Sequence, residues 1–462
     1  MAYIFYDTET SGLSPEFDQI LQFAAIRTDN DFNEIDRFEI RSHLLPYVVP
    51  SPGALKVTGI GPDLLTNPTL PSHYQMTCQI REKLLEWSPA IFIGYNTLSF
   101  DENFLRQALF QTLHPPYLTN SQNNTRADVL RLVQAAVAYA PDCLNIPTSD
   151  KGKPVFKLDQ LAPKNGFIHD NAHEAMADVE ATIYIAQLIR QGAPQVWQNV
   201  MQSCRKSVAI DKITTNQILA LTESYFNIDY SWLVTYCGQN PGYDAQIAVF
   251  DLQYDPTDYF DLDVDALVDV LNTSPKVIRS IRTNSQPILM PRGMATDKAA
   301  ASSLAPIILD KRIQAIQDNS EFQERVGQAL ASRFPDEEPS SYPEERIYDG
   351  FPSRSDAALM QKFQKQTWQD RFATAEHLDD DRSREFALRI LFTEAPEVLP
   401  TDKRAEMYNW MRRRILSNDQ RVPWLTVHKA IQETEEMLAV ADDEEKGFLT
   451  QLHSFYEEMI TV

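Results

Sequence analysis

The stretch from Tyr3 to Gly12 constrains this chain most, because it reads as an aromatic, apolar strand that ends in two carboxylates and a glycine turn. Asp7 and Glu9 are two residues apart, so on a strand both side chains point to the same face. A buried carboxylate is costly unless it is paired or bound to a metal. The stretch therefore predicts either a divalent-metal site at the end of a central strand or a strand that frays into a polar loop.

Two more acids and a histidine stand where helices are expected to begin. Asp101 follows a short apolar strand (90–93) and a polar loop, and taken alone it is better explained as a helix N-cap than as a metal ligand. Asp178 opens an apolar pattern of helical spacing, and His173 lies about one turn ahead of it. Taken alone, His173 is better explained as a solvated loop residue.

Considered as a set, Asp7, Glu9, Asp101 and Asp178 offer oxygen ligands only, which suit Mg²⁺ or Mn²⁺ rather than zinc. Two such ions about 4 Å apart can activate a water and stabilise the leaving oxygen in phosphodiester cleavage. A neutral His173 beside them could take the proton of that water, because the ordinary pKa of histidine lies near neutral pH.

The order and local sequence of these motifs resemble the DEDDh superfamily of 3′→5′ exonucleases. Residues 7–10, 96–101 and 173–178 are similar to its first, second and third motifs. Two further stretches, 22–29 and 156–166, narrow the resemblance to the exodeoxyribonuclease I family, which comprises bacterial exonucleases that act on single-stranded DNA. Each motif is weak alone, but three in the same order are a specific signal.

The resemblance implies a magnesium-dependent enzyme that digests single-stranded DNA from its 3′ end to 5′-mononucleotides, in DNA repair or recombination. It implies two Mg²⁺ ions, which Mn²⁺ could replace, and a monomer whose C shape encloses the strand and favours processive digestion. The same resemblance assigns the metal ligands as Asp7, Glu9, Asp101 and Asp178, with Asp7 and Glu9 also counted as catalytic and His173 as the general base.

Strand-like and helical stretches alternate along the first part of the chain, which predicts an α/β architecture with a mixed sheet. The resemblance implies an RNase H-like exonuclease domain over residues 1–198, an SH3-like β-barrel with helical insertions over 199–350, and an all-helical domain over 351–462. In the middle part, residues 231–237 and 246–252 alternate as strands of a small barrel would.

Five positions match contacts that the family makes with DNA: Lys157, Arg106, Tyr117, Asn96 and Thr8. Lys157 replaces an arginine of the family, which keeps the charge but removes a bidentate phosphate grip. Arg106 would bind a phosphate and Tyr117 would stack on bases, as suits sequence-tolerant binding; without the resemblance they would be a solvated arginine and a tyrosine at the edge of the core.

The resemblance also implies a partner, the acidic C-terminal tail of single-stranded DNA-binding protein. Such a tail needs a basic, partly apolar pocket, because its carboxylates must be paired when they lose water. Lys311, Arg312 and Arg325 are the candidates, beside apolar helical positions late in the middle part. The alternative is ordinary helix-face pairing with acids such as Asp310 and Glu321.

The formal net charge of −23 argues against a general nucleic-acid coating protein, because phosphate binding is driven by cations. It allows a local positive channel on an acidic body. The four cysteines are scattered and predict neither a zinc site nor a disulfide framework. No apolar run is long enough to span a bilayer and no secretory signal opens the chain, so we expect a cytoplasmic protein without membrane contact.

Two rival functions stay open. The segment from Thr8 to Ser11 is closer to the wider superfamily than to the Tyr-Glu-Thr-Phe of the exodeoxyribonuclease I family, which allows a DnaQ-like proofreading or an RNA-trimming relative. Matched DNA and RNA strands would separate these, because the 2′-hydroxyl is the discriminating group. A non-catalytic nucleic-acid-binding scaffold is disfavoured, because all five catalytic positions are intact.

Overall fold

The computed structural model describes residues 2–168, 174–297, 299–334 and 338–461. The strands of its first sheet are β1 (Ala2–Thr10), β2 (Ile20–Thr28), β3 (Glu34–Arg41), β4 (Ala90–Gly94) and β5 (Thr125–Asp128). They lie in the order β3-β2-β1-β4-β5. Because β1 runs antiparallel to β2 and parallel to β4, the sheet is mixed and β1 is its central strand.

Helices cover both faces of this sheet. They are α1 (Pro52–Thr58), α2 (Pro62–Leu65), α3 (His73–Trp87), α4 (Asp101–Gln111), α5 (Val129–Tyr139), α6 (Leu158–Lys164), α7 (Ala175–Gly192) and α8 (Pro194–Gln202). The next helix, α9 (Lys206–Thr215), packs through Ile213 on the second sheet instead. Along β1, Ile4 and Tyr6 pack in one core cluster with α3 and α4, whereas Phe5 packs in another with Val179 of α7. The two acids that follow at odd positions therefore continue the face that α7 covers.

A second sheet of five antiparallel strands follows. Its strands are β6 (Leu219–Tyr225), β7 (Ile228–Gln239), β8 (Gln246–Asp251), β9 (Ile278–Arg282) and β10 (Ile288–Pro291), in the order β10-β6-β7-β8-β9. The last strand pairs beside the first, which is the strand order of an SH3-like barrel. The helices around it are α10 (Val264–Asn272), α11 (Pro306–Gln317) and α12 (Ser320–Ser332).

The last part of the chain is helical. It contains α13 (Arg354–Lys365), α14 (Trp368–Glu376), α15 (Asp381–Glu394), α16 (Thr401–Ile415), α17 (Val427–Val440) and α18 (Asp443–Thr461). Leu449 and Tyr456 of α18 pack in one cluster with Leu21 of β2 and Leu55 of α1. The core runs across the expected domain borders at 198 and 350, so those borders stay a prediction. The expected fold classes of the three parts are confirmed.

Two further observations concern the cysteines and the helices. All four cysteines are free thiols, and Cys237 is fully buried. Within the described ranges, no helix combines the length and the apolar character that crossing a bilayer requires.

Candidate metal centre

Three of the predicted ligands converge where β1 meets the start of α7. Within the described residues, carboxylate oxygens of Asp7, Glu9 and Asp178 all lie within 4.8 Å of one another. Strand alternation places the first two on one face, and α7 crosses that face with Asp178 in its first turn. The all-oxygen donor set and its spacing fit a hard divalent cation.

Asp101 stands beside this group, and the N-cap explanation for it is wrong. Phe100 occupies the N-cap, and Asp101 is the first residue of α4. Its Oδ1 accepts hydrogen bonds from the backbone nitrogen of Thr8 at 3.0 Å and from the Thr8 hydroxyl at 2.6 Å. Asp101 is therefore fixed against Thr8 of β1, the residue between Asp7 and Glu9 in the sequence.

The loop before Asp101 can reach β1 because Gly94 ends β4. A Cβ at Gly94 would lie 2.6 Å from the carbonyl oxygen of Tyr6, so a side chain there would push the loop away. Asn96 adopts the left-handed region with φ of 61°, and its backbone nitrogen donates to Asp128 Oδ1 at 2.9 Å. The buried Asp128 thus holds the loop from its other side.

The negative charges of the four acids repel one another, and a bound cation would relieve that repulsion. Burial raises the pKa of Asp7 well above its ordinary value, and the charges of Asp101, Asp178 and Glu9 raise it further. Burial, followed by the charges of Asp178 and Asp101, raises the pKa of Glu9 to about 9. Burial raises the pKa of Asp101 to about 7, against the hydrogen bonds from Thr8. Clustered carboxylates of this kind are typical of functional sites.

His173, the expected general base, lies outside the described residues. The residue after it, Glu174, is described and was missed by sequence reasoning: it is the N-cap of α7 and accepts a hydrogen bond from Gln22 at 2.7 Å. Glu174 and Gln22 are 152 positions apart, and no local pattern predicts such a pair.

The five expected DNA contacts differ in how accessible they are. Lys157 and Asn96 are exposed, whereas the hydroxyl of the buried Thr8 is bonded to Asp101. Arg106 donates to Glu102 at 3.0 Å and to the Tyr348 hydroxyl at 2.9 Å. Its guanidinium also lies over the ring of Tyr117, 5.2 Å from the centroid. Their contacts with nucleic acid stay predictions.

The hairpin of β6 and β7 carries an aromatic ladder that sequence reasoning also missed. The ladder consists of Tyr225, Tyr230 and Trp232, with ring centroids 6.0 and 6.2 Å apart along it. The guanidinium of Arg279 lies 3.3 Å from the Trp232 centroid. Tyr230 and Trp232 are two apart on one strand, so their shared face was a signal that could have been used.

The candidate partner pocket is partly engaged within the protein. Arg312 donates to the carbonyl of Leu252 at 2.6 Å, and Arg325 donates to the carbonyl of Leu262 at 3.1 Å. Arg325 also lies 4.0 Å from Glu321, as the helix-face alternative expected, while Lys311 is exposed. Docking of an acidic tail here stays a prediction.

Comparison with known proteins gives consistent matches. The exonuclease family matches residues 4–186 and the exonuclease I C-terminal domain matches residues 341–459. Exodeoxyribonuclease I of Escherichia coli K12 is 29% identical over 385 residues, which cover 78% of each chain. That of Haemophilus influenzae is 34% identical over 214 residues, which cover 46% of this chain and 45% of that protein. The structure of E. coli exonuclease I with a dA16 oligonucleotide matches 99% of both chains, with a TM-score of 0.86 at 23% identity.

Proposed function

Because the chain belongs to the exonuclease I family, we propose that it hydrolyses single-stranded DNA from the 3′ end and releases 5′-mononucleotides. The convergence of Asp7, Glu9 and Asp178 beside Asp101 carries this proposal. The E. coli relative of this fold was solved with a single-stranded oligonucleotide, which supports the choice of substrate.

We propose Mg²⁺ as the resident metal, two ions per site, with Mn²⁺ able to replace it. The donor set supports this, because it is made of carboxylates whose mutual repulsion a divalent cation would relieve. When bound, the ions would supply Lewis-acid stabilisation of the attacking and leaving oxygens. The four acids would hold that charge in place, and Thr8 keeps Asp101 turned toward β1.

The protein's own groups would handle the proton and the strand. His173, which precedes Glu174 in the sequence, would accept the proton of the attacking water. The aromatic ladder of Tyr225, Tyr230 and Trp232 would stack on successive bases, which binds DNA without reading its sequence. The tip of this hairpin lies close to the exonuclease part, since Asn227 donates to the carbonyl of Pro154 at 3.2 Å. Lys157, which is exposed and closely follows Pro154 in the sequence, would bind a phosphate of the same DNA strand.

Substitutions separate these roles. Asp7→Ala or Asp178→Ala should abolish cleavage with the fold intact, because each removes charge stabilisation in the transition state. His173→Ala should lower turnover by about 10²–10⁴-fold and leave metal binding unchanged. Cleavage at the wild-type rate in either aspartate variant contradicts the metal site, and a metal affinity that falls along with turnover makes His173 a ligand instead.

Matched strands of DNA and RNA test the substrate class. A preference for DNA supports the proposal, whereas equal or faster cleavage of RNA supports an RNA-trimming enzyme, because the two strands differ at the 2′-hydroxyl.

We further propose that the protein acts processively as a monomer in the cytoplasm, where its free cysteines would stay reduced.

The proposed protein partner needs its own test. A fluorescent peptide with the acidic tail sequence of single-stranded DNA-binding protein is titrated against the wild type and against a Lys311→Glu/Arg312→Glu variant. Weaker, salt-sensitive binding by the variant supports the pocket. Equal binding moves the pocket elsewhere, and no binding by the wild type removes the partner.

A further inference from the structure

A row of side chains crosses the first sheet next to the metal centre. Glu9 of β1 pairs across the strands with Gln22 of β2, and Gln22 pairs in turn with Arg41 of β3. Gln22 is 1% exposed. Its amide nitrogen donates to the carboxylates of Glu39 at 2.9 Å and Glu174 at 2.7 Å. The row therefore leaves the sheet and ends on a residue of another element.

Glu174 connects that row to the helix that carries Asp178. One of its oxygens, Oε2, accepts from the backbone nitrogen of Ala177 at 3.2 Å and so caps α7. The other, Oε1, accepts from Gln22 and, at 3.3 Å, from the guanidinium of Arg41. One carboxylate thus satisfies the helix start and the sheet at the same time.

We infer that Glu174 is a positioning residue of the metal centre, an inference that rests on the proposed function. Through Gln22 it ties the first turn of α7 to the strand position beside Glu9, which fixes the separation between Asp178 and the two acids of β1. Groups that orient metal ligands in this way typically change metal affinity or activity by about 10–100-fold when removed. Arg41 offsets part of the negative charge that Glu174 brings to the site.

A simple charge effect is the rival explanation, and the chain offers matched controls for it. Glu39 bonds to the same Gln22 amide and lies 3.7 Å from Arg41, but it belongs to β3 and anchors no helix. Glu180 lies on α7 and pairs with Arg37 at 3.3 Å, away from the row. Both side chains are partly exposed, like Glu174.

The test measures Mn²⁺ binding to the full-length protein by calorimetry, and the metal dependence of cleavage. Glu174→Ala should bind Mn²⁺ about 10–100-fold more weakly and need correspondingly more metal for half-maximal activity. Glu39→Ala and Glu180→Ala should stay close to the wild type. Gln22→Met, which removes the donor to Glu174 Oε1 without changing any charge, should weaken Mn²⁺ binding by a similar factor.

Each other result overturns the inference. Wild-type affinity in Glu174→Ala shows that the contacts of Glu174 with Gln22 and Ala177, here called the brace, position nothing. An equal loss in Glu39→Ala, or wild-type affinity in Gln22→Met, shows that charge alone matters. If the wild type binds Mn²⁺ normally in those experiments, the proposed metal centre survives the failure of the brace. If the wild type binds no Mn²⁺, the metal centre itself is wrong and the inference falls with it.

Discussion

At the scale of single residues, strand alternation turns Asp7 and Glu9 to one face of β1, and Asp178 meets them from the first turn of α7. Strand alternation and apolar helical spacing made these three positions predictable. The N-cap explanation for Asp101 failed because Thr8, on a distant strand, supplies two donors to its carboxylate. Such a contact depends on tertiary packing, which the local pattern does not contain.

The raised pKa values predict how stability without metal depends on pH. Burial and neighbouring charges raise the pKa of Glu9 from 4.5 to about 9 in the folded, metal-free protein. A carboxylic acid whose pKa is higher in the folded state than in the unfolded state stabilises the fold fully below about pH 4.5. This contribution is lost as the pH rises to about 9. The Tm of the metal-free protein should therefore fall over this interval, and less steeply in Glu9→Gln.

Metal should reverse this trend, because binding requires deprotonated carboxylates and releases protons. The increase in Tm caused by Mg²⁺ should grow as the pH rises from about 5 to 9, and it should be small in Glu9→Gln. Thermal unfolding with and without Mg²⁺ at several pH values measures both effects. A Mg²⁺-induced shift that does not change with pH would contradict a metal site built on these carboxylates.

At the scale of elements, strands and helices of strong periodicity were predictable and surfaces made by packing were not. The stretch 231–237 was predicted as a strand and lies within β7. The aromatic ladder on the same strand was not recognised. The guanidinium that packs on Trp232 belongs to Arg279 of β9, which is distant in the sequence. A strand pattern shows which face a side chain takes, but not what lies against that face.

The ladder makes a prediction about DNA affinity. Tyr230 is 45% exposed at the outer side of Trp232, so Tyr230→Ala removes one stacking surface. Each stacked base contributes about 1–3 kcal/mol, so the Kd for single-stranded DNA should rise roughly 5- to 150-fold. Fluorescence anisotropy with a non-cleavable strand measures this. Tyr408→Ala on α16, which replaces a tyrosine of similar exposure, is the control, and equal affinity of both variants would remove the ladder from the interface.

At the scale of the whole molecule, a buried ion triad joins the last helices to the segment before them. Glu344 Oε1 accepts from Nη1 of both Arg389 and Arg414, at 2.7 Å each, and all three side chains are at most 5% exposed. Arg414 also lies over the ring of Phe17, which follows the metal-site strand. The sequence could not reveal this triad, since its members come from three separate segments.

Breaking the triad should be costly. Glu344→Ala leaves the buried guanidinium of Arg414 without its paired anion and leaves Arg389 with Glu385 alone, which should lower the free energy of unfolding by about 3–5 kcal/mol. The adjacent Glu345 is exposed, so Glu345→Ala is the matched control and should change little. Urea unfolding measures both variants. Equal stability of Glu344→Ala and the control would show that the triad does not hold these parts together.

Product analysis on end-labelled single strands tests whether the protein is a metal-dependent exonuclease that starts at the 3′ end. With a 5′ label and Mg²⁺, we expect stepwise shortening from the 3′ end, release of mononucleotides that carry a 5′-phosphate, and no reaction with chelator or with Asp7→Ala. Internal cuts, first release of the 5′-labelled nucleotide, or cleavage that needs neither metal nor Asp7 would contradict it.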